Sequence, residues 1–354
     1  MRIERRHSRR SRLHNKPWQI QPMRGFIMRL LILGGTLFLG RHIVDTALER
    51  GHEVTLFNRG QRNADLFPEL TRLRGDRNGD MSALLRRSFD AVIDCCGYTP
   101  EQMARTAQAL DDKVPHYTFV STVSVYERCP ANVVFDEHAA IDPGSEGYGA
   151  QKARAEEAIE RAYPQRVAHI RPGLIVGAHD PTGRFTYWPR RFAAAATDEL
   201  NRTVIAPGDP SRPIQWIDVR DLARFCVHAA EHNIVGRFNA VTPAKAFNMQ
   251  ALLDACNEAT GAQANIHWMS DERLTAAEVA EWTELPLWIA QTNETHGGML
   301  LADSSRAVEA GLRFSTLDDT VRATLAWCNE FPEADAATRV KTITPEREAQ
   351  LLRQ

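Results

Sequence analysis

The chain has 354 residues, 43% of them hydrophobic and 25% charged, with a formal net charge of −2. This is ordinary globular composition, enough for one large domain or two medium ones. No apolar run approaches the ~20 residues of a spanning helix, and the six cysteines form no C-x-x-C pair, so free thiols, a cytoplasmic setting, no membrane and no metal are expected.

Residues 1–27 hold eight Lys or Arg against one acid, leaving 35 basic and 44 acidic residues in the remainder, a net of −9. "SRRSRL" resembles a twin-arginine export signal, but no apolar segment follows it. The stretch reads as a disordered basic arm or an over-long start, with Met28 opening the folded part.

From Met28 strands and helices alternate. "RLLILGG" reads as a buried strand running into glycines, "FLGRHIVDTALERG" as an amphipathic helix stopped at Gly51, and "HEVTLFNRG" as the second strand. "TRLRGD" and "FDAVIDCCG" are the third and fourth strands. "TPEQMARTAQAL" is a helix with Thr99 as cap and Pro100 in its first turn, and "HYTFVST" is the fifth strand. Such a pattern implies an α/β fold, a doubly wound parallel sheet of the Rossmann kind, with its ligand at the carboxyl ends of the strands. After about Pro172 the alternation loosens. "RFTYWPRRFAAAA" is aromatic and basic, "APGDPSRP" is a loop, "VRDLARFCVHAA" and "MQALLDACNEAT" read as helices, and "GRFNAV" as a strand. The expected division is a dinucleotide-binding domain over 28–178, with late strands and helices from about 211–243, and a smaller α/β, mainly substrate-binding lobe over 179–354.

"GGTLFLG" sits where a strand hands over to a helix, the context a phosphate turn requires. Gly34 and Gly35 let backbone N–H groups approach a pyrophosphate at the positive helix end, and Gly40 lets helix pack closely on strand. Thr36, Leu37, Phe38 and Leu39 complete the turn; Leu37 stands where a third glycine often does, and its side chain can turn away from the ligand. The second strand ends in Asn58-Arg59, with Arg62 close behind, where an acid would bind the ribose hydroxyls of NAD. A guanidinium suits a 2′-phosphate, so NADP(H) is expected over NAD(H). Asp76, after the third strand, can accept from the adenine amino group.

Tyr148 and Lys152 are four apart in a helical stretch and share one face. A free phenol titrates near ~10, and a neighbouring ammonium brings it toward neutral working range. Lys152 also reaches for the ribose hydroxyls of the nicotinamide half. "FVSTVSVY" places Ser121, Thr122 and Ser124 just past the fifth strand, where one hydroxyl can share a substrate oxygen with Tyr148.

Taken together these residues resemble the extended or atypical short-chain dehydrogenase/reductase superfamily, of the NAD-dependent epimerase/dehydratase type. The resemblance runs from about Met28 to the C-terminus and is strongest through Tyr148 and Lys152. It implies Tyr148 as catalytic acid/base, Lys152 as its partner and Thr122 as the catalytic hydroxyl. It places Cys96, Gly97 and Tyr98 in the loop over the cofactor ribose, and Arg171 and Pro172 beside the nicotinamide. The superfamily's dehydratases follow the threonine with an Asp-Glu pair; Val123-Ser124 stands here, leaving that route without acid or base. Its epimerases carry an arginine for a substrate pyrophosphate; Ile214 takes that position, with Arg212 two residues earlier on the same strand face. "GGTLFLG" and "RPIQWIDVRDLA" are similar to a branch that includes chloroplast stem-loop-binding proteins and isoflavone-reductase-like bacterial proteins, and the retained Tyr148–Lys152 pair favours an enzyme.

"HDPTGRFTYWPRRF" is the expected substrate wall, with Arg184, Tyr187, Trp188 and Arg191 offered to a planar or anionic small molecule. Trp216 is placed at the same cleft. The leading expectation is an NADP(H)-dependent oxidoreductase moving a hydride to or from a carbonyl or hydroxyl carbon. An epimerase acting by transient oxidation uses the same residues. An RNA-binding or redox-sensing protein with NADP(H) as a mere ligand is the reading from another class; the net −9 beyond residue 27 opposes nucleic acid as a partner. Assembly is left open, a homodimer being one option.

Overall fold

The computed structural model describes residues 27–198, 202–332 and 340–353. All but the last residue of the arm expected over 1–27 lies outside them. The first half runs β1 (Arg29–Leu33), α1 (Leu39–Glu49), β2 (Glu53–Asn58), β3 (Thr71–Arg74), β4 (Ala91–Asp94), α2 (Pro100–Leu110), β5 (Tyr117–Val120), α3 (Tyr148–Ala162) and β6 (Val167–Pro172). There follow β7 (Ile175–Val176), α4 (Tyr187–Thr197), β8 (Thr203–Pro207), β9 (Pro213–Ile214), β10 (Ile217–Asp218), α5 (Val219–Glu231) and β11 (Gly236–Ala240). The chain ends with β12 (Phe247–Asn248), α6 (Met249–Thr260), β13 (Asn265–Met269), α7 (Asp271–Ala276), α8 (Ser305–Glu309), α9 (Leu317–Glu330) and α10 (Pro345–Leu352).

Seven strands form one sheet in the order β11-β6-β5-β4-β1-β2-β3, and every pairing in it is parallel. This is the doubly wound α/β architecture that the alternation predicts. β1 shows why its sequence is apolar throughout: Leu30 and Ile32 pack into one core, under α1 and α5, while Leu31 and Leu33 pack into the other, under α2 and α3. α2 starts as its sequence requires, with Thr99 Oγ1 accepting from the Gln102 amide and Pro100 in the first turn. Among the described residues no helix is long and apolar enough to cross a membrane.

A second core belongs to the later residues. Trp188, Trp216, Trp288, Phe185 and Phe192 are fully buried together. β8 pairs with β13 alone, and its other edge is closed by side chains: Glu348 of α10 accepts from the Ile205 amide at 2.9 Å, and Arg191 donates to the Thr203 carbonyl at 2.6 Å and to Glu348 at 2.7 Å.

Arg171 of β6, expected beside the nicotinamide, is buried and engaged within the fold. Its guanidinium grips Glu156 of α3 through two bonds, 2.9 and 2.6 Å, and donates to the Tyr126 hydroxyl at 3.0 Å; that hydroxyl donates to Asn239 of β11 at 2.6 Å. Burial pushes the Glu156 carboxyl up, but the bonds and charge of Arg171 outweigh it and leave the group below the ordinary glutamate value. One bidentate pair thus fastens α3 to the sheet. Removing one partner of a buried pair strands the other charge, which costs about 3–5 kcal/mol. Glu156→Ala is expected to lose stability on that scale in urea unfolding; a loss under 1 kcal/mol would mean that the pair does not hold α3 in place.

Candidate active site

The turn after β1 is built by exclusion of side chains. Gly34 and Gly35 have φ of +106° and +86°, and a Cβ on Gly34 would stand 2.9 Å from Cys95 Sγ. A Cβ on Gly40 would lie 2.7 Å from the Gly35 amide nitrogen, so helix and turn meet only because residue 40 is glycine. Leu37 replaces the expected third glycine at the rim, with 39% of its surface exposed. Phe38 precedes α1 with φ 37°; no side chain caps the helix and its first turn holds no acid. A helix start of this kind, flanked by glycines that leave backbone space, fits a pyrophosphate.

Asn58, at the end of β2, supports this turn. Its amide donates to the Gly34 carbonyl at 3.0 Å and its oxygen accepts from the Gly60 amide at 3.0 Å; Asn63 donates to the Thr36 carbonyl at 2.6 Å. Arg59 and Arg62 are exposed beside it, with no ion-pair partner among the described residues. Asp76 accepts from the Asn78 amide at 2.9 Å. These residues line one end of a cavity of about 720 Å³ along the carboxyl edge of the sheet. Thr36, Phe38 and Leu39 of the turn, Cys96 and Tyr98 after β4, and Pro172 after β6 also line it.

The other end of the cavity gathers Ser121, Thr122, Ser124, Tyr148 and Lys152. The approach depends on Gly149, where a Cβ would stand 1.9 Å from the Ser124 carbonyl oxygen. That closeness sets the first residue of α3, Tyr148, against the turn after β5. Thr122 Oγ1 accepts from the Ser124 amide at 3.1 Å and donates to its hydroxyl at 3.2 Å. Tyr148 is 52% exposed as a residue, with its ring at the cavity mouth. Burial pushes the phenol up, while the neighbouring Thr122 hydroxyl and the charge of Arg184 pull it down by less.

Lys152 is placed differently from the expectation. The residue is 3% exposed, and its ammonium donates to the Gly97 and Val120 carbonyls, both at 2.6 Å, 4.2 Å from the centre of the Phe119 ring. Burial pushes it down to about 8. No hydrogen bond joins it to Tyr148, and it is not among the groups that shift the phenol. The lysine braces the loop after β4 against the end of β5, with Gly97 contributing its carbonyl.

The expected substrate wall divides. Ser124 and Arg184 line the cavity. Tyr187, Trp188 and Arg191 do not, because "YWPRRF" is helical: Trp188 and Phe192 fall on one face and turn into the lobe core, where Phe185 of the preceding turn joins them. Trp188 donates to the Pro286 carbonyl at 3.1 Å, and Arg191 is held by Glu348. Trp216 packs against Phe185 and Phe247 with ring centroids 5.9 and 4.9 Å away. Arg212 pairs with Asp271 at 2.6 Å and donates to the Ile289 carbonyl, away from the cavity. Trp282, Met299 and Leu300 complete the wall in their place. They come from irregular segments about a hundred residues further on, without a motif that marks them.

Outside the cavity, His228, Glu231 and His232 are close enough together to hold a metal, but Glu231 is already bound to Arg50 and His52.

A family model for the NAD dependent epimerase/dehydratase family matches residues 30–240. The chloroplast stem-loop binding protein of 41 kDa b from Arabidopsis thaliana is 27% identical over 251 residues, 66% of this chain and 63% of that one, so the matched part falls short of two thirds of that relative's length. Among solved structures, the Bordetella bronchiseptica enzyme WbmH in complex with NAD+ superposes with a TM-score of 0.63 at 19% identity, covering 86% of this chain and 99% of that one. Human epimerase family protein SDR39U1 with NADPH gives 0.59 at 20% identity, covering 84% and 99%.

Gly40 offers a direct test of the turn. Gly40→Ala should weaken binding of a nicotinamide dinucleotide at least tenfold in a fluorescence titration; unchanged affinity would show that the turn does not receive the pyrophosphate.

Proposed function

The chain belongs to the NAD dependent epimerase/dehydratase family, and from this we propose that it transfers a hydride between a nicotinamide dinucleotide, NADP(H) in preference to NAD(H), and a carbonyl or hydroxyl carbon of a small molecule. The observation that carries the reading is the meeting of Tyr148 and Thr122 in the same cavity that the glycine turn opens into.

When bound, the nicotinamide supplies the hydride donor or acceptor. The remaining chemistry falls to the chain. A phenol that burial keeps protonated at neutral pH is suited to giving its proton to an oxygen gaining negative charge, the need of carbonyl reduction. Thr122, tied to the Ser124 turn, holds its hydroxyl where it can share that oxygen. Lys152, braced by two carbonyls, fixes the strand ends that set both groups. Gly34, Gly35 and the start of α1 would hold the pyrophosphate. Arg59 and Arg62 would bind a 2′-phosphate, a preference supported by the amide, not acid, at Asn58 and by its engagement with Gly34.

The family match supports a second reading with the same residues, epimerisation by transient oxidation and return of the hydride to the opposite face. Stoichiometric consumption of NADPH marks the first reading; retention of the cofactor through many turnovers marks the second. The name of the Arabidopsis relative raises stem-loop binding, against which stand the net −9 beyond residue 27 and the presence of Tyr148 and Thr122 in one cavity.

Tyr148→Phe keeps the ring and removes the proton. Turnover should fall roughly 10²- to 10⁴-fold while cofactor affinity stays within about twofold; equal turnover would remove Tyr148 from the chemistry. Arg59→Ala should weaken NADPH about tenfold and leave NADH nearly unchanged, as expected for loss of a charge-assisted phosphate contact. Parallel losses for both cofactors in calorimetry would refute the assignment.

A further inference from the structure

Among the described residues five cationic side chains line the cavity: Arg59, Arg62, Arg77, Lys152 and Arg184. Two are committed. Arg77 is locked bidentately onto Asp94 at 2.8 Å, and Lys152 onto two backbone carbonyls. Arg59 and Arg62 sit at the end of β2, remote in the fold from the turn after β5. That leaves Arg184 at the Tyr148 end, where its charge acts on the phenol.

Arg184 is half-buried and held from two sides. Its guanidinium carbon lies 5.4 Å from the centre of the Trp282 ring, and its Nε donates to Thr182 Oγ1 at 3.3 Å. Asp180, which also lines the cavity and acts on Arg184 through its charge, is turned into its own loop, accepting from the Thr182 amide and hydroxyl, both at 2.8 Å, and makes no direct ion pair with Arg184. The two terminal nitrogens of Arg184 therefore have no acceptor among the described residues. A planar fork fixed on an indole face and aimed at a cavity is a receptor for a planar anion. The surrounding wall of Val241, Met299, Leu300 and Trp282 is apolar.

We propose that the substrate is a small oxo or hydroxy acid with an apolar body, whose single carboxylate is bound by Arg184 while its reacting oxygen lies at Tyr148 and Thr122. The inference rests on the hydride-transfer reading and narrows it. One guanidinium whose two terminal nitrogens are open, with the Asp180 carboxylate nearby, has room for a single carboxylate and falls short of the diphosphate of a nucleotide sugar, for which Arg212, buried on Asp271, is not at hand.

The test measures binding, so that it stays separate from turnover. The full chain, with and without NADP+, is titrated calorimetrically with 4-methyl-2-oxopentanoate, phenylpyruvate and acetoacetate, each beside its methyl ester, and with UDP-glucose. At least one acid should bind tenfold or more tighter than its ester; Arg184→Met should reduce that ratio below threefold, and Tyr148→Phe should preserve it. Should Arg184→Met lose NADP+ binding through misfolding, Arg184→Lys takes its place, expected to lower the ratio by removing the fork while keeping a charge. The proposal is overturned if no acid outbinds its ester tenfold, if the ratio survives in the Arg184 variant, or if UDP-glucose binds more tightly than every acid. A normal acid-to-ester ratio with full turnover in Tyr148→Phe would instead count against the hydride-transfer mechanism alone.

Discussion

The ammonium of Lys152 is the point on which the site is hung. It is buried beneath the sheet's carboxyl edge, where an unpaired charge would be costly, and it stays because two backbone carbonyls and the Phe119 ring receive it. Those carbonyls belong to Gly97 and Val120, so one side chain ties the ends of two adjacent strands to α3. Tyr148 begins the same helix, and the position of its ring follows from that anchorage together with the bare backbone of Gly149. An ammonium has three donors, and two are spent on the backbone. Lys152 itself lines the cavity, but the bonds it makes there are to the frame of the site.

A second constraint works from behind. Arg171 and Glu156 clamp the far side of α3 to β6, and Tyr126 and Asn239 extend the clamp to β11. The helix carrying the phenol is thus held at its cavity face by one buried cation and at its sheet face by another. Such pairs contribute little net stability compared with apolar packing, but they fix orientation, and a site built from a tyrosine and a threonine on separate elements needs orientation.

Much of the sheet was legible because its information is local. β1 to β5, α1, α2 and α3 fall within a few residues of the limits that periodicity, glycines and the Thr99–Pro100 start indicate. The glycine turn and the Tyr148–Lys152 spacing were readable for the same reason. What the sequence concealed is the fate of long cations and large aromatics. Arg171 and Arg212 look like ligands until Glu156 and Asp271 arrive from other elements, the second 59 residues away. Trp188 looks like a binding wall until the helical phase of α4 turns it inward, and Trp216 until Phe185 and Phe247 close around its ring. Lys152 has the expected spacing but spends its bonds on carbonyls, which no side-chain pattern reveals. Arg184, in the turn before α4, keeps its place on the cavity wall, held by Thr182 and the Trp282 ring.

The side chains on the outer edge of β8 carry a consequence for the life of the protein in a crowded solution. A two-stranded sheet with an open margin offers N–H and C=O groups to any extended segment that drifts past, and so invites fibrous association. Here Glu348 takes the Ile205 N–H and Arg191 the Thr203 carbonyl, so an ion pair imitates the missing neighbour strand. The final helix of the chain therefore serves as a hygienic cover as much as a piece of architecture, and a protein clipped before it would become sticky before it became unfolded.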